Sequence, residues 1–264
     1  MFFGGGCMLL TVWFYFVLVV LTIIASLMVI IYTIFDPTGD SSLKITKLWG
    51  QGLLRCIGVK TEVHGLENVT PGRPYIFAAN HQSAFDIFVI LAVLPPEVRF
   101  LAKIELFAIP LFGPALRRAG SLPVDRSNRQ AAMRSIDQAA QAVRSGRSIV
   151  IFPEGTRNAT GEIMPFKKGG FVLAIKSGQP IVPVSISGVR NILSPGWGRV
   201  RPGPVKVVFG KPIATDTYKS RNKDELMAVL REAIARNYDP DYPNKPGDTG
   251  QKATAPAQTA VRAG

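Results

Sequence analysis

From Cys7 to Phe35 the chain is almost wholly apolar, and residues 1–35 contain no Lys, Arg, Asp or Glu. At about 1.5 Å per residue those 29 residues make a helix of roughly 43 Å, longer than the ~30 Å hydrocarbon core of a bilayer. A single tilted membrane helix or a bent in-plane hairpin absorbs the excess, and the lack of Gly or Pro between Met8 and Phe35 favours one helix. A cleaved signal peptide fits poorly, because no basic segment precedes the run and the run outlasts an ordinary signal core. Further on, Ile45, Leu48, Trp49, Leu53, Cys56 and Ile57 recur at helical spacing beside Lys44, Lys47, Arg55 and Lys60, with no acid between Ser41 and Thr61. This predicts a basic amphipathic helix over 41–58, placed on a membrane surface or packed as an ordinary domain helix. Short β-rich runs then alternate with helical patterns. Strands are predicted at Tyr75–Ala79, Val98–Ala102, Ser121–Val124, Ser148–Phe152, Ile181–Ile186 and Val205–Phe209, and helices near 84–94, 105–118, 129–145, 168–177 and 221–237. The alternation implies an α/β fold: a layered, mainly parallel sheet flanked by helices, behind an N-terminal membrane helix or hairpin. Residues 239–264, rich in Pro, Gly, Ala, Thr and Gln, read as a disordered tail. The organisation expected is therefore an anchor at 1–36, one domain at 37–238 and a tail at 239–264.

Charge sharpens this picture. The chain of 264 residues carries 31 Lys+Arg against 18 Asp+Glu, and since residues 1–35 and 239–264 are neutral the net +13 belongs to residues 36–238. Such a surface meets something anionic. The basic residues are scattered, with no aromatic-basic platform or basic recognition helix, so nucleic acid is not an expected partner. Lys and Arg just after the apolar run place the domain on the cytoplasmic side of the inner membrane by the positive-inside rule. Two cysteines and two histidines exclude a disulfide framework and most metal-ligand sets, so no metal is expected. No G-x-G-x-x-G or Walker-type loop follows a strand, which leaves dinucleotide and nucleotide cofactors without support.

The candidate chemistry lies at Asn80-His81-Gln82-Ser83-Ala84-Phe85-Asp86, where an apolar strand opens into an apolar helix. On one continuous helix His81 and Asp86 would lie about 140° apart, since each residue advances ~100°. With Ser83 as N-cap, Asp86 sits in the first turn and His81 on the preceding loop, free to fold back over it. The carboxylate then holds one ring N–H and leaves the other nitrogen as a base. Ser83-x-x-Asp86 equally fits a capping box that needs no catalysis. Capping does not explain a polar His just after an apolar strand, at the end where α/β sheets bind ligands.

Three further segments join apolar strands to polar or turn residues: Gly120-Ser121-Leu122-Pro123-Val124-Asp125-Arg126, Phe152-Pro153-Glu154-Gly155-Thr156-Arg157 and Ile181-Val182-Pro183-Val184-Ser185. With the His-x4-Asp segment they resemble, in order and spacing, the four motifs of the glycerolphosphate acyltransferase family, most closely its bacterial 1-acylglycerol-3-phosphate acyltransferases. The resemblance spans roughly residues 60–210. Val124 stands where the family usually has Ile or an aromatic. The resemblance implies acyl transfer from a thioester of coenzyme A or acyl carrier protein to a glycerol hydroxyl, with no cofactor beyond that co-substrate. A lysophospholipid acceptor and anionic membrane lipids are the other implied partners. It makes His81 the general base and Asp86 its orienting partner. Arg126, Arg157 and Lys103 become candidates for the acceptor phosphate, where an arginine's planar fork suits paired phosphate oxygens. Glu154, Gly155 and Thr156 form the acceptor loop, and Pro183 serves packing or the acyl pocket. Read apart from the motifs, Arg126 and Arg157 are ordinary salt-bridge partners of Asp125 and Glu154, and Lys103 a solvated strand end.

Overall fold

In the computed structural model the residues described are 4–36, 40–95, 98–125, 128–158, 160–193 and 198–243. Two helices come first, α1 (Gly4–Phe35) and α2 (Asp40–Cys56). They are followed by β1 (Lys60–His64), β2 (Ile76–Ala79), α3 (Phe85–Val93), β3 (Val98–Lys103), α4 (Phe112–Arg118), β4 (Leu122–Val124) and α5 (Arg129–Arg144). The chain continues through β5 (Ser148–Ile151), α6 (Gly169–Ser177), β6 (Ile181–Ser187), α7 (Val189–Ile192), β7 (Pro204–Phe209) and α8 (Lys223–Asn237). The strands form a sheet in the order β1-β7-β6-β2-β5-β3-β4. Every pair is parallel except β6 with β7.

The period-2 alternation of a strand divides the core into two layers. The odd positions of β2 point one way: Phe77 and Ala79 pack with Val182, Val184, Val207 and Phe209 against Phe14 of α1, Leu53 and Leu54 of α2 and Phe85 and Val89 of α3. On the other face Ile76, Ala78, Ile149 and Ile181 pack against Ala139 and Val143 of α5, Phe171 and Leu173 of α6 and Leu226, Leu230 and Ile234 of α8. The expected α/β layering is present.

Helix α1 is one unbroken helix, so the hairpin alternative does not hold. It lies along the domain and does not project from it. Near its start Thr11 Oγ1 accepts from Val200 N (3.0 Å), Trp13 Nε1 donates to Cys56 O (3.3 Å) and Phe14 meets the Phe85 ring at 4.9 Å. Near its end Val29 is buried with Ile45, Ala115 and Ala119, and Arg118 Nη1 donates to Thr33 Oγ1 at 3.2 Å. Its other face exposes Met8, Leu9, Val12, Trp13, Phe16 and Ile31, among others. Helix α2 is layered between α1 and α3, with Leu43, Ile45, Leu53 and Leu54 buried, and Lys47 Nζ donates to Leu94 O at 2.9 Å. Lys47 is thus tied to the domain; Lys44 and Arg55 stay exposed.

Three local expectations are corrected. The helix expected over 105–118 is a 3-10 turn (Ile104–Ala108) followed by α4, because Pro110 lacks the N–H that a continuous helix would use. Strand β1 was not expected, since all five of its residues are exposed and give no apolar alternation. Residues 239–243, expected in a disordered tail, are docked: Asp239 N donates to Ser187 Oγ (2.9 Å) and Asn191 Nδ2 to Tyr242 O (3.0 Å). The rest of that tail lies outside the described residues.

Candidate active site

Strands β2, β5, β3 and β4 are parallel neighbours, so their C-terminal ends share one edge of the sheet; the ends of β2, β5 and β4 carry three of the polar segments and the end of β3 carries Lys103. Asn80, buried, fixes the end of β2. Its Nδ2 donates to Ile186 O (2.9 Å) and its Oδ1 accepts from Ile186 N (2.8 Å), extending the pairing of β2 with β6 through a side chain. The chain then turns, and His81 Nδ1 lies 2.8 Å from Asp86 Oδ2. The same oxygen accepts from Gln82 N (2.6 Å) and Ser83 N (2.8 Å). The Asp86 side chain is fully buried while the His81 side chain is 13% exposed, so the partner is sealed and the imidazole is reachable. The His81 ring stacks on Phe152 at 4.1 Å between centroids, which fixes its plane. With Nδ1 taken by the carboxylate, Nε2 is the nitrogen left to accept a proton.

Ser83 is not the N-cap. That position falls to Ala84, which has helical dihedrals and no side chain to cap with. Capping runs in reverse: the Asp86 carboxylate reaches back to the amides of Gln82 and Ser83. The Ser83 hydroxyl instead donates to Leu193 O at 3.0 Å and accepts weakly from Phe85 N at 3.4 Å.

Glu154 at the end of β5 is buried, and both its oxygens are spent on backbone: Oε1 accepts from His81 N (2.7 Å) and Oε2 from Met164 N (3.0 Å). Burial pushes its carboxyl above the ordinary value, and the two amides, which favour the charged form, offset part of that. Glu154 therefore braces the His81 turn and is not a salt-bridge partner of Arg157. Gly155 has φ +71°, so the backbone conformation calls for glycine, and the Lys167 side chain lies over it. Thr156 and Arg157 are exposed on the rim of the same turn. Asn158 N donates to His81 O at 2.9 Å, which brings this loop onto the catalytic candidate itself.

Lys103 ends β3, exposed and paired with Glu105 at 2.9 Å. Arg126 lies outside the described residues; Val124, just before it, is opposite Lys103 in the β3–β4 pairing. Pro183 is buried in β6 opposite Ala78, and its carbonyl accepts from Gly210 N at 2.8 Å. Asn80 pairs with Ile186, three residues further along β6, so Pro183 sits about 10 Å below the site at ~3.3 Å per residue, in the packing of the sheet. Sequence reasoning missed the Asn80 clamp and the Phe152 stack. An Asn at a strand end is a visible signal, but its partner is backbone on a strand 106 residues away.

Set against known proteins, residues 60–187 match the acyltransferase family model. The 1-acyl-sn-glycerol-3-phosphate acyltransferase of Limnanthes douglasii is 31% identical over 227 residues, which is 84% of this chain and 79% of that protein. The chloroplastic 1-acyl-sn-glycerol-3-phosphate acyltransferase BAT2 of Brassica napus is 35% identical over 195 residues, covering 73% of this chain. The crystal structure of the 1-acyl-sn-glycerophosphate (LPA) acyltransferase PlsC from Thermotoga maritima has a TM-score of 0.76 at 29% identity, covering 87% of this chain and 93% of that one. The chain belongs to this acyltransferase family. It spans 55% of the Brassica napus relative and 61% of a Saccharomyces cerevisiae relative, somewhat over half of their lengths.

Proposed function

We propose that the protein transfers a fatty acyl group from a thioester, on coenzyme A or acyl carrier protein, to the sn-2 hydroxyl of 1-acylglycerol-3-phosphate, forming phosphatidic acid. The observation that carries this reading is the His81–Asp86 pair at 2.8 Å on the ligand-binding edge of a parallel sheet. His81 Nε2 takes the hydroxyl proton as the oxygen attacks the thioester carbonyl. Asp86 holds the ring and stabilises the imidazolium that forms. The tetrahedral intermediate then expels the thiolate, the carbon–sulfur bond breaks, and the proton held on His81 leaves with sulfur. The step draws on side chains and the two substrates, with no further cofactor or metal. Arg157 on the rim is the first candidate for the acceptor phosphate, joined by Arg126 and by Lys103 when the ligand competes with Glu105.

The location follows from α1. A helix with an apolar outer face, held to the domain near both ends, lies in one leaflet with the domain beside it. Phe14 touches Phe85, the residue before Asp86, so the site stands at the bilayer surface where a lyso-lipid resides. The Lys and Arg residues that follow the run support the cytoplasmic leaflet of the inner membrane as its side. The test is purified protein in detergent offered lysophosphatidate, other lysophospholipids and glycerol-3-phosphate with each donor, alongside Arg157→Ala. Losing a charge-assisted contact costs roughly 1.5–3 kcal/mol, or about 10- to 150-fold. That rise is expected in the KM for lysophosphatidate and not in the KM for the thioester. An unphosphorylated acceptor used as well as lysophosphatidate by the parent would refute the reading.

A further inference from the structure

The acyltransferase match ends at residue 187, yet the loop over the His81 turn is gripped by side chains beyond that point. Residues 158, 162 and 164 contact the site from the inside: Asn158 N on His81 O, Gln82 Nε2 on Glu162 O (3.4 Å) and Met164 N on Glu154 Oε2. From the outside the same loop is held by Arg190, Arg231 and Tyr238. Arg190 Nη1 donates to Thr160 O (2.8 Å), Arg231 Nη2 to Ile163 O (2.9 Å) and Tyr238 OH to Gly161 O (2.9 Å). The grip is itself braced, since Arg190 Nη2 reaches Pro240 O at 3.4 Å and Asp239 N is bonded to Ser187 Oγ. Gly161, at φ +89°, would put a Cβ 2.2 Å from Arg190 Nη1, so the guanidinium lies directly against the loop backbone.

We propose that Arg190 and Tyr238 are positioning residues: with the segment 238–242 they clamp the 158–163 loop onto the His81 turn and so set the placement of His81 and of Arg157. Both act on backbone carbonyls of consecutive residues, Thr160 and Gly161, and neither is spent on another side chain among the contacts described. Burial raises the Tyr238 hydroxyl to about 12, so it remains a donor across the working pH range. The loop begins one residue after Arg157 and bonds the His81 carbonyl; a shift in it moves both. A displacement of about 1 Å can cost about a hundredfold in rate.

The inference rests on the acyl-transfer reading, and the experiment separates the two. Full-length parent, Tyr238→Phe, Arg190→Ala and Arg190→Lys, and a chain lacking 244–264, are assayed in detergent with lysophosphatidate and acyl-CoA, with each variant's folded fraction measured by thermal unfolding. Tyr238→Phe deletes one hydroxyl, so it is the variant that keeps the fold. Per folded enzyme, Tyr238→Phe and Arg190→Ala are expected to lower kcat at least about tenfold and to raise the KM for lysophosphatidate, leaving the KM for acyl-CoA unchanged. Arg190→Lys should recover part of the loss, and removal of 244–264, which keeps every one of these groups, should cost nothing. Variants with parental constants per folded enzyme, or with losses that merely follow the melting temperature, would overturn the clamp while the acyl-transfer reading stands. A parent that transfers no acyl group would overturn that reading, and the clamp with it.

Discussion

At the scale of single residues, the geometry separates two carboxylates with different tasks. Asp86 is bonded to the imidazole; Glu154 is bonded to the backbone beneath it. Asp86→Asn can set its amide oxygen where Oδ2 accepts from the two amides and the ring, but it removes the negative charge that stabilises the imidazolium. Its kcat is expected to fall at least about 10²-fold, the scale of general-base loss, with folding retained. Steady-state kinetics beside a melting curve decides this: full activity with a lowered melting temperature would reduce Asp86 to a cap. Glu154 predicts a pH dependence. Because burial raises its carboxyl above 4.5 in the folded state, the folded protein binds that proton more tightly than the unfolded chain. Its contribution is therefore fully present below the ordinary value and is lost as pH rises through the raised one. Glu154→Gln does not titrate, so the stability of the parent relative to Glu154→Gln should decline across that window and level off above it. Urea unfolding from pH 4 to 8 reads the slope, and a rising difference would contradict the assignment.

Elements explain which parts of the fold could be read from the chain. Buried strands such as β6, every residue of which is buried, announce themselves as apolar runs, and α5 does so by period. What could not be read is set by partners distant in sequence. Strand β1 exists because β7 offers it a parallel edge, and its Lys, Glu and His carry no core pattern. The His-x4-Asp spacing was legible as a turn. That the carboxylate would cap backwards, displacing Ser83 toward Leu193, depends on a loop brought in from another part of the chain. Helix packing supplies a further prediction. A Cβ on Gly50 of α2 would meet Leu91 Cβ at 2.9 Å and Phe88 O at 3.0 Å in α3, whereas one on Gly52 would meet only the flexible tip of Leu21 at 3.3 Å. Gly50→Val should therefore destabilise by about 1–3 kcal/mol through overpacking. Gly52→Ala gains up to ~1 kcal/mol of helix propensity against a mild contact. Thermal unfolding of the two variants should move in opposite directions or leave Gly52→Ala near the parent; a Gly50→Val protein as stable as the parent would mean that α2 and α3 do not approach this closely.

For the whole molecule, the arrangement joins an apolar helix, the His81–Asp86 turn and the loop held by Arg190 and Tyr238 on one domain. Helix α1 reads from the sequence as something that enters a membrane, but its course along the domain comes from contacts at residues 11–14 and 29–33 that no periodicity reveals. The 238–243 segment was illegible for a similar reason: its composition is that of a tail, and its order comes from α7 and the end of β6. The central claim is that His81 moves an acyl group onto a phosphorylated lyso-lipid at a membrane surface. Its most direct test is the initial rate of phosphatidic acid formation by parent and His81→Ala, each reconstituted in vesicles containing anionic lipid and lysophosphatidate and supplied with acyl-CoA. The account predicts product from the parent and a rate at least about 10²-fold lower from an equally folded His81→Ala protein; equal rates from the two would contradict it.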